Sequence, residues 1–143
     1  MQKHISQKPV LFIGRFQPFH LGHLDAIKQI LKWHKKVVIG IGSSQFSGET
    51  KNPFKVLLRT KMVTKSLLEA GIKKNRFSIF EIPDINNDNL WVKHVEKNVP
   101  KFDTIYSGSK HVQKLFRRDG KYKIKIPKFN LKISATMVRG KMK

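Results

Sequence analysis

Short apolar runs alternate along this chain with stretches whose apolar positions recur every three or four residues. Residues 9–14, Pro-Val-Leu-Phe-Ile-Gly, form an apolar run closed by glycine, the pattern of a strand buried on both faces. Leu24, Ile27, Leu31 and His34, with Ile30 beside them, mark one face of a helix. A second buried strand is predicted over 36–41, Lys-Val-Val-Ile-Gly-Ile, followed by a polar loop over 42–52. Asn52-Pro53 has the form of a cap with proline at the first helical position. It predicts a helix that runs to Ala70 and stops at Gly71. Phe77 to Ile82 reads as a less apolar strand near a sheet edge, and Asp84 to Asn89 as a loop. Leu90 to Asn98 reads as a short helix and Asp103 to Tyr106 as a fourth strand. Lys110 to Arg118 is a helix ended by Asp119-Gly120, and Tyr122 to Ile126 alternates as a fifth, edge strand. Ser134 has the place of a cap for one last helix.

Strand and helix alternate throughout, which calls for an open parallel sheet with helices on both faces. The expected fold is α/β: one domain over 1–143, a doubly wound, Rossmann-like sheet of five parallel strands in the order 3-2-1-4-5. Its C-terminal helix is expected to be short or missing. Ligands of such sheets bind above the carboxyl ends of the strands, where the strand order reverses.

Charge adds a preference for anions. The chain carries 30 Lys+Arg against 9 Asp+Glu, a formal net charge of +21. Such a surface attracts nucleotides, nucleic acid or an acidic membrane face. Of the basic residues 24 are lysine, spread along the whole chain, and lysine is a point charge without the planar fork that reads base edges. Ile, Asn and Phe are also abundant and share AT-rich codons with lysine, so genome composition is a second source of the excess. The absence of cysteine excludes disulfides, thiolate metal sites and a cysteine nucleophile. The apolar runs fall far short of the ~20 residues of a membrane span. The polar first residues carry no signal-like apolar core, so a cytoplasmic protein is expected.

The first strand opens into Gly14-Arg15-Phe16-Gln17-Pro18-Phe19-His20-Leu21-Gly22-His23, with a helix just beyond. Helix N-termini offer free N–H groups and partial positive charge to phosphate. Imidazoles donate hydrogen bonds to oxyanions, and Gly22 allows close backbone approach. A two-histidine metal site is the competing reading, with no third ligand close in sequence; no metal-ligating set is expected.

This segment resembles the signature of the nucleotidyltransferase superfamily with its His-x-Gly-His motif, and more narrowly that of the archaeal-type nicotinamide mononucleotide (NMN) adenylyltransferases. Ile133-Ser134-Ala135-Thr136-Met137-Val138-Arg139 resembles the family's Ile-Ser-Gly-Thr-x-x-Arg segment. Gly40-Ile41-Gly42-Ser43-Ser44-Gln45, Asn52-Pro53-Phe54, Leu90-Trp91-Val92 and Tyr106-Ser107-Gly108-Ser109 agree with it. The resemblance implies attack of the NMN phosphate on the α-phosphorus of ATP, giving NAD and pyrophosphate without a covalent intermediate. It implies catalytic roles for Arg15, His20, His23 and Arg139. It implies ATP contacts from Gly14, Arg15, Phe16, Gln17, His20, His23, Ser107, Gly108, Ser134, Thr136 and Arg139. Ser43, Asn87 and Trp91 would meet NMN, and Mg²⁺ would be held mainly by the ATP phosphates. Homo-oligomers are implied as well.

The chain departs from the pattern where the family has asparagine three residues before its tryptophan. Here that position is Asp88, and Asn87 is the nearest amide. Asp88 would repel nicotinate mononucleotide and favour the amide substrate. Trp91 is either a stacking platform for the pyridine ring or a core anchor of its helix. Lys61-Met62-Val63-Thr64-Lys65-Ser66 imitates the Lys-Met-Ser-Lys-Ser segment of class I aminoacyl-tRNA synthetases, but it lies mid-helix and reads as a solvated lysine face. Two alternatives stay open: another adenylyl- or cytidylyltransferase of the superfamily, with another phosphorylated acceptor or with CTP in place of ATP, or a basic nucleic-acid-binding protein on the same scaffold.

Overall fold

The computed structural model describes residues 7–43 and 54–127. Five strands, β1 (Val10–Gly14), β2 (Val37–Gly42), β3 (Phe77–Ile82), β4 (Thr104–Tyr106) and β5 (Lys123–Lys125), form one sheet. Its order is β3-β2-β1-β4-β5, and every neighbouring pair is parallel. The expected class and strand order are therefore those observed. Four helices connect the strands: α1 (Leu21–Trp33), α2 (Val56–Glu69), α3 (Asp88–Asn98) and α4 (Lys110–Asp119).

Alternate residues of the central strand face opposite cores. Val10 and Phe12 pack with Ala26, Ile27 and Ile30 of α1 and with Val63 and Leu67 of α2. Leu11 and Ile13 pack with Val92 and Val95 of α3 and with Leu115 and Phe116 of α4. A strand covered on both sides by helices has no polar face, which is why 10–13 is continuously apolar. The connection through α3 leaves edge strand β3, crosses the sheet and re-enters at β4, on the other side of β1. The strand order reverses between β1 and β4, and a crevice opens above their carboxyl ends.

The helix over the second connection begins later than predicted. Lys55, in extended conformation, occupies the N-cap position of α2 and makes no side-chain cap hydrogen bond. Asn52-Pro53 lies outside the described residues. The Gln17 amide holds Phe54 from both sides, accepting from its N–H at 2.9 Å and donating to its carbonyl at 3.2 Å. That tertiary bracket engages the backbone where a helical turn was expected. The helix over the third connection begins two residues earlier than predicted, because the Asn87 side chain accepts from the Asn89 N–H and caps it. A 3-10 turn over Lys74–Arg76 was not predicted. The last helix at Ser134 lies outside the described residues.

Helix α4 ends as its sequence predicts. Gly120 is left-handed (φ 79°), with no atom near the place a Cβ would occupy. The cost of any side chain there is backbone strain alone. Gly120→Ala is expected to lower the unfolding free energy by roughly 1–2 kcal/mol with an unchanged urea m-value. An unchanged midpoint in urea unfolding would contradict this account of the helix stop.

Candidate active site

The crevice is a cavity of about 400 Å³. Its floor is Ile13 and Gly14 at the end of β1 and Gly42 at the end of β2. Arg15 and Ser43 follow those strands, Asp84 to Asp88 and Trp91 form the side beyond β3, and Ser109, His111 and Val112 close it from α4. The wall beyond β3 is pinned at two points. Ser43 Oγ donates to Asp84 Oδ2 at 2.7 Å, and the His94 ring on α3 bonds the Pro83 carbonyl.

One side chain ties the two central strand exits together. Arg59 of α2 is 0% exposed. Its Nη1 donates to the carbonyls of Arg15 and Gly42, each at 3.0 Å, and its Nη2 to that of Ser43 at 3.0 Å. Burial, and then the nearby Arg15, push its pKa below the ordinary value. A guanidinium ordinarily titrates so high that it still carries charge at neutral pH. Three non-glycine residues among those described adopt positive φ: Phe16 (51°), Ser43 (52°) and Asn86 (50°). Each follows one of the strands β1, β2 and β3 beside the cavity. Such conformations cost of order 1–3 kcal/mol each and persist where surroundings over-determine them. For two of these exits the Arg59 fork is such a determinant.

The histidine pair forms the start of α1. His20 occupies the N-cap, where its Nδ1 accepts from the Gly22 N–H at 3.1 Å. The His20 N–H in turn donates to His23 Nδ1 at 3.1 Å. A backbone N–H can only donate, so both Nδ1 atoms carry lone pairs. In each neutral ring the proton therefore sits on Nε2. The rings stack with centroids 3.7 Å apart. His23 also packs edge-on against Phe16 (4.8 Å) and stacks on Phe19 (5.4 Å). Burial, and then His20, lower the His23 pKa to about 3, and burial lowers that of His20. The pair is thus a fixed, uncharged set of two Nε2–H donors at a helix N-terminus.

The expected site residues divide by position. Gly14, Arg15, Ser43, Asn87 and Trp91 line the cavity together. Trp91 also anchors its helix in the core, where its ring meets Phe116 edge-on at 5.7 Å. Phe16 and Gln17 are each 1% exposed, beneath the loop. Phe16 supports His23, while Gln17 holds Phe54. Gly14 must lack a Cβ, which would stand 2.8 Å from the Phe16 ring. Ser107 is buried, with its Oγ accepting from the Ser109 N–H at 3.1 Å. Ser109, not Ser107 or Gly108, reaches the cavity. His20 and His23 sit at the far end of the β1 exit loop and do not line it. Ser134, Thr136 and Arg139 lie outside the described residues. Arg59, Asp84 and His111 escaped the sequence reading. The signal for Arg59 was its place on the inward stripe with Val63 and Leu67, where an arginine must be bonded to be tolerated.

Comparison with known proteins decides the family. Residues 11–141 match the cytidylyltransferase-like family model. The nicotinamide-nucleotide adenylyltransferase of Thermococcus sibiricus is 43% identical over 133 residues, 92% of this chain and 72% of its own length. The chain belongs to the cytidylyltransferase-like family, among its nicotinamide-nucleotide adenylyltransferases. A bifunctional NMN adenylyltransferase/ADP ribose pyrophosphatase from Francisella tularensis superposes with a TM-score of 0.82 at 30% identity. The match covers 95% of this chain and 42% of that one. A structure of the Francisella protein with AMP and a manganese ion gives a TM-score of 0.78 at 31% identity. Family membership agrees with the resemblance carried by the two motifs.

Two outcomes follow from this geometry. Arg59→Met removes the donor from three carbonyls and is expected to lower the unfolding free energy by roughly 2–5 kcal/mol, read by urea titration. A loss under about 1 kcal/mol would show that the strand exits hold themselves. The His23 ring should not titrate between pH 5 and 8 when its Hε1 resonance is followed by NMR. In the unfolded chain it takes a proton below about 6.5. Its share of stability is therefore intact above that pH and is lost progressively as pH falls toward 3. A midpoint near the ordinary histidine value would contradict the packing described.

Proposed function

We propose that this protein transfers the adenylyl group of ATP to NMN, forming NAD and pyrophosphate. The observation that carries the reading is the capped histidine pair, with two Nε2–H donors fixed at a helix N-terminus. The relatives that are 40–44% identical supply the choice of acceptor.

The chemistry needs little from the protein beyond alignment and charge. A phosphate monoester is largely dianionic at neutral pH, since its second pKa is about 6. The NMN phosphate therefore attacks the α-phosphorus without a general base. The new P–O bond forms as the bond to the β-phosphate oxygen breaks, and pyrophosphate leaves with the electron pair. His20 and His23 donate to α- and β-phosphate oxygens, while Arg15 and Arg139 meet the triphosphate. Neutral imidazoles suit this role, because their hydrogen bonds do not depend on a proton gained or lost near neutral pH. Gly14, Gly108, Ser134 and Thr136 complete the nucleotide contacts through the backbone or hydroxyls, while the buried Ser107 acts through the turn it braces. Phe16 and Gln17 act through the loop they support. Ser43, Asn87 and Trp91 receive NMN, with the Trp91 face toward the pyridine ring.

Among the described residues no three His, Cys, Asp or Glu side chains are grouped to hold a metal ion. A divalent cation, Mg²⁺ in this proposal, would be held by nucleotide phosphates and water. It supplies neutralisation of phosphate charge. No described helix is long and apolar enough to cross a membrane; a cytoplasmic location is part of this proposal.

Incubation with ATP, Mg²⁺ and NMN is expected to yield NAD and pyrophosphate in equal amounts. His20→Ala and Arg139→Ala should each lower kcat about 100-fold or more, the usual cost of one preorganised donor. Absence of NAD with wild type, or wild-type rates in both variants, would end this reading. Survival of DNA binding at ~200 mM salt with no heat on mixing ATP or NMN would favour nucleic-acid binding instead.

A further inference from the structure

The cavity is electrically divided. At the β1 end it is lined by Arg15, and on the side beyond β3 by Asp84 and Asp88. Only 9 acidic residues occur in the whole chain, against 30 basic ones. Two of those nine facing one cavity is therefore a local reversal of the protein's charge. Asp84 is bonded to Ser43 Oγ at 2.7 Å. Asp88 is bonded from the opposite wall, where His111 Nε2 on α4 lies 3.2 Å from Asp88 Oδ1. A carboxylate oxygen only accepts, so His111 donates. One turn along α3 from Asp88 stands Trp91, at the i, i+3 spacing that puts two side chains on one helix face. Both line the cavity. A second contact, from Arg118 Nη2 to Asn89 Oδ1 at 3.1 Å, braces the same junction of α3 and α4.

Resting on the NMN reading above, we propose that Asp88 selects the carboxamide ring over the carboxylate ring, and that His111 is the positioning residue that aims it. The two mononucleotides differ at one substituent. The carboxamide offers two N–H donors beside a positively charged pyridinium, whereas the carboxylate offers acceptors only and a negative charge. An Asp88 oxygen accepts from the amide. Against the acid it meets a like charge and a second acceptor, a combination that rejects by repulsion. His111 occupies Oδ1, which fixes the carboxylate plane and leaves Oδ2 for the ring substituent above Trp91. A plain surface ion pair between Asp88 and His111 would contribute little to stability. Its position across the mouth of the cavity, one helical turn from the aromatic wall, is what gives it a use.

Calorimetric titration of the full chain with NMN and with nicotinate mononucleotide tests this independently of turnover. Wild type is expected to bind NMN the more tightly. Asp88→Asn should narrow the ratio of the two dissociation constants by roughly tenfold, a modest effect because the pair is more than half exposed. His111→Leu should narrow it by about threefold, while His111→Gln, which still donates to Asp88, should keep the wild-type ratio. A ratio unchanged in Asp88→Asn, equal effects of Leu and Gln at 111, or failure of wild type to bind either mononucleotide would overturn the proposal. Turnover with ATP separates the two readings. Selective binding that depends on Asp88, without NAD formation, would uphold the selectivity and end the adenylyltransferase assignment.

Discussion

The site depends on a single buried cation. Arg59 reaches from α2 under the sheet's carboxyl edge and bonds the backbone where β1 and β2 end. Parallel strands stop being held by their own ladder at that edge, and the chain there must turn toward a ligand. Carbonyls at such exits lose their strand partners while still partly shielded from water. A planar fork satisfies three of them at once, which a lysine's single ammonium would do poorly. Holding Arg15 and Ser43 by their backbones leaves both side chains to face the cavity. The same guanidinium puts positive charge beneath the crevice. Low-dielectric surroundings strengthen that field.

Above this clamp the site is built from groups that keep one state. The histidines of α1 do not act as a charge switch. Packing against Phe16 and Phe19 and mutual stacking hold them neutral, and backbone bonds to both Nδ1 atoms dictate the tautomer. Gly14 permits this by leaving room for the Phe16 ring. The consequence runs from a missing Cβ to an aromatic shelf, to a capped helix, to two oriented N–H donors. Transfer between two polyanions benefits from such preorganisation more than from acid–base chemistry.

Much of this was legible in the residues. Continuous apolar strands announced a sheet covered on both faces, and glycines at 71 and 120 marked two helix stops. The Gly14 to His23 segment located the loop that carries the histidine pair, and the Trp91 helix marked the other wall. What escaped notice were residues whose meaning is set by a distant partner. Gln17 reads as a ligand contact until its amide is found on Phe54, 37 residues away in sequence. The start of α2 comes at Lys55, just after the Phe54 backbone that the same amide holds. Ser107 and Ser109 are indistinguishable in a Ser-Gly-Ser turn. Only the path of the turn sends one into α4's cavity wall and the other into a buried bond with it.

By itself the sequence determined the order of elements, the alternation that makes both sheet faces apolar, and the loops that border the cavity. Those are local properties, encoded in periodicity and in residues with special backbone or donor capacity. The tertiary structure alone decided that Arg59 joins two strand exits 17 and 44 residues from it, and that Asp88 meets His111 across 23 residues. Such pairings follow from the crossover of the chain between β3 and β4. No pattern along a single segment encodes them, because the partner's position is set by the packing of every element between.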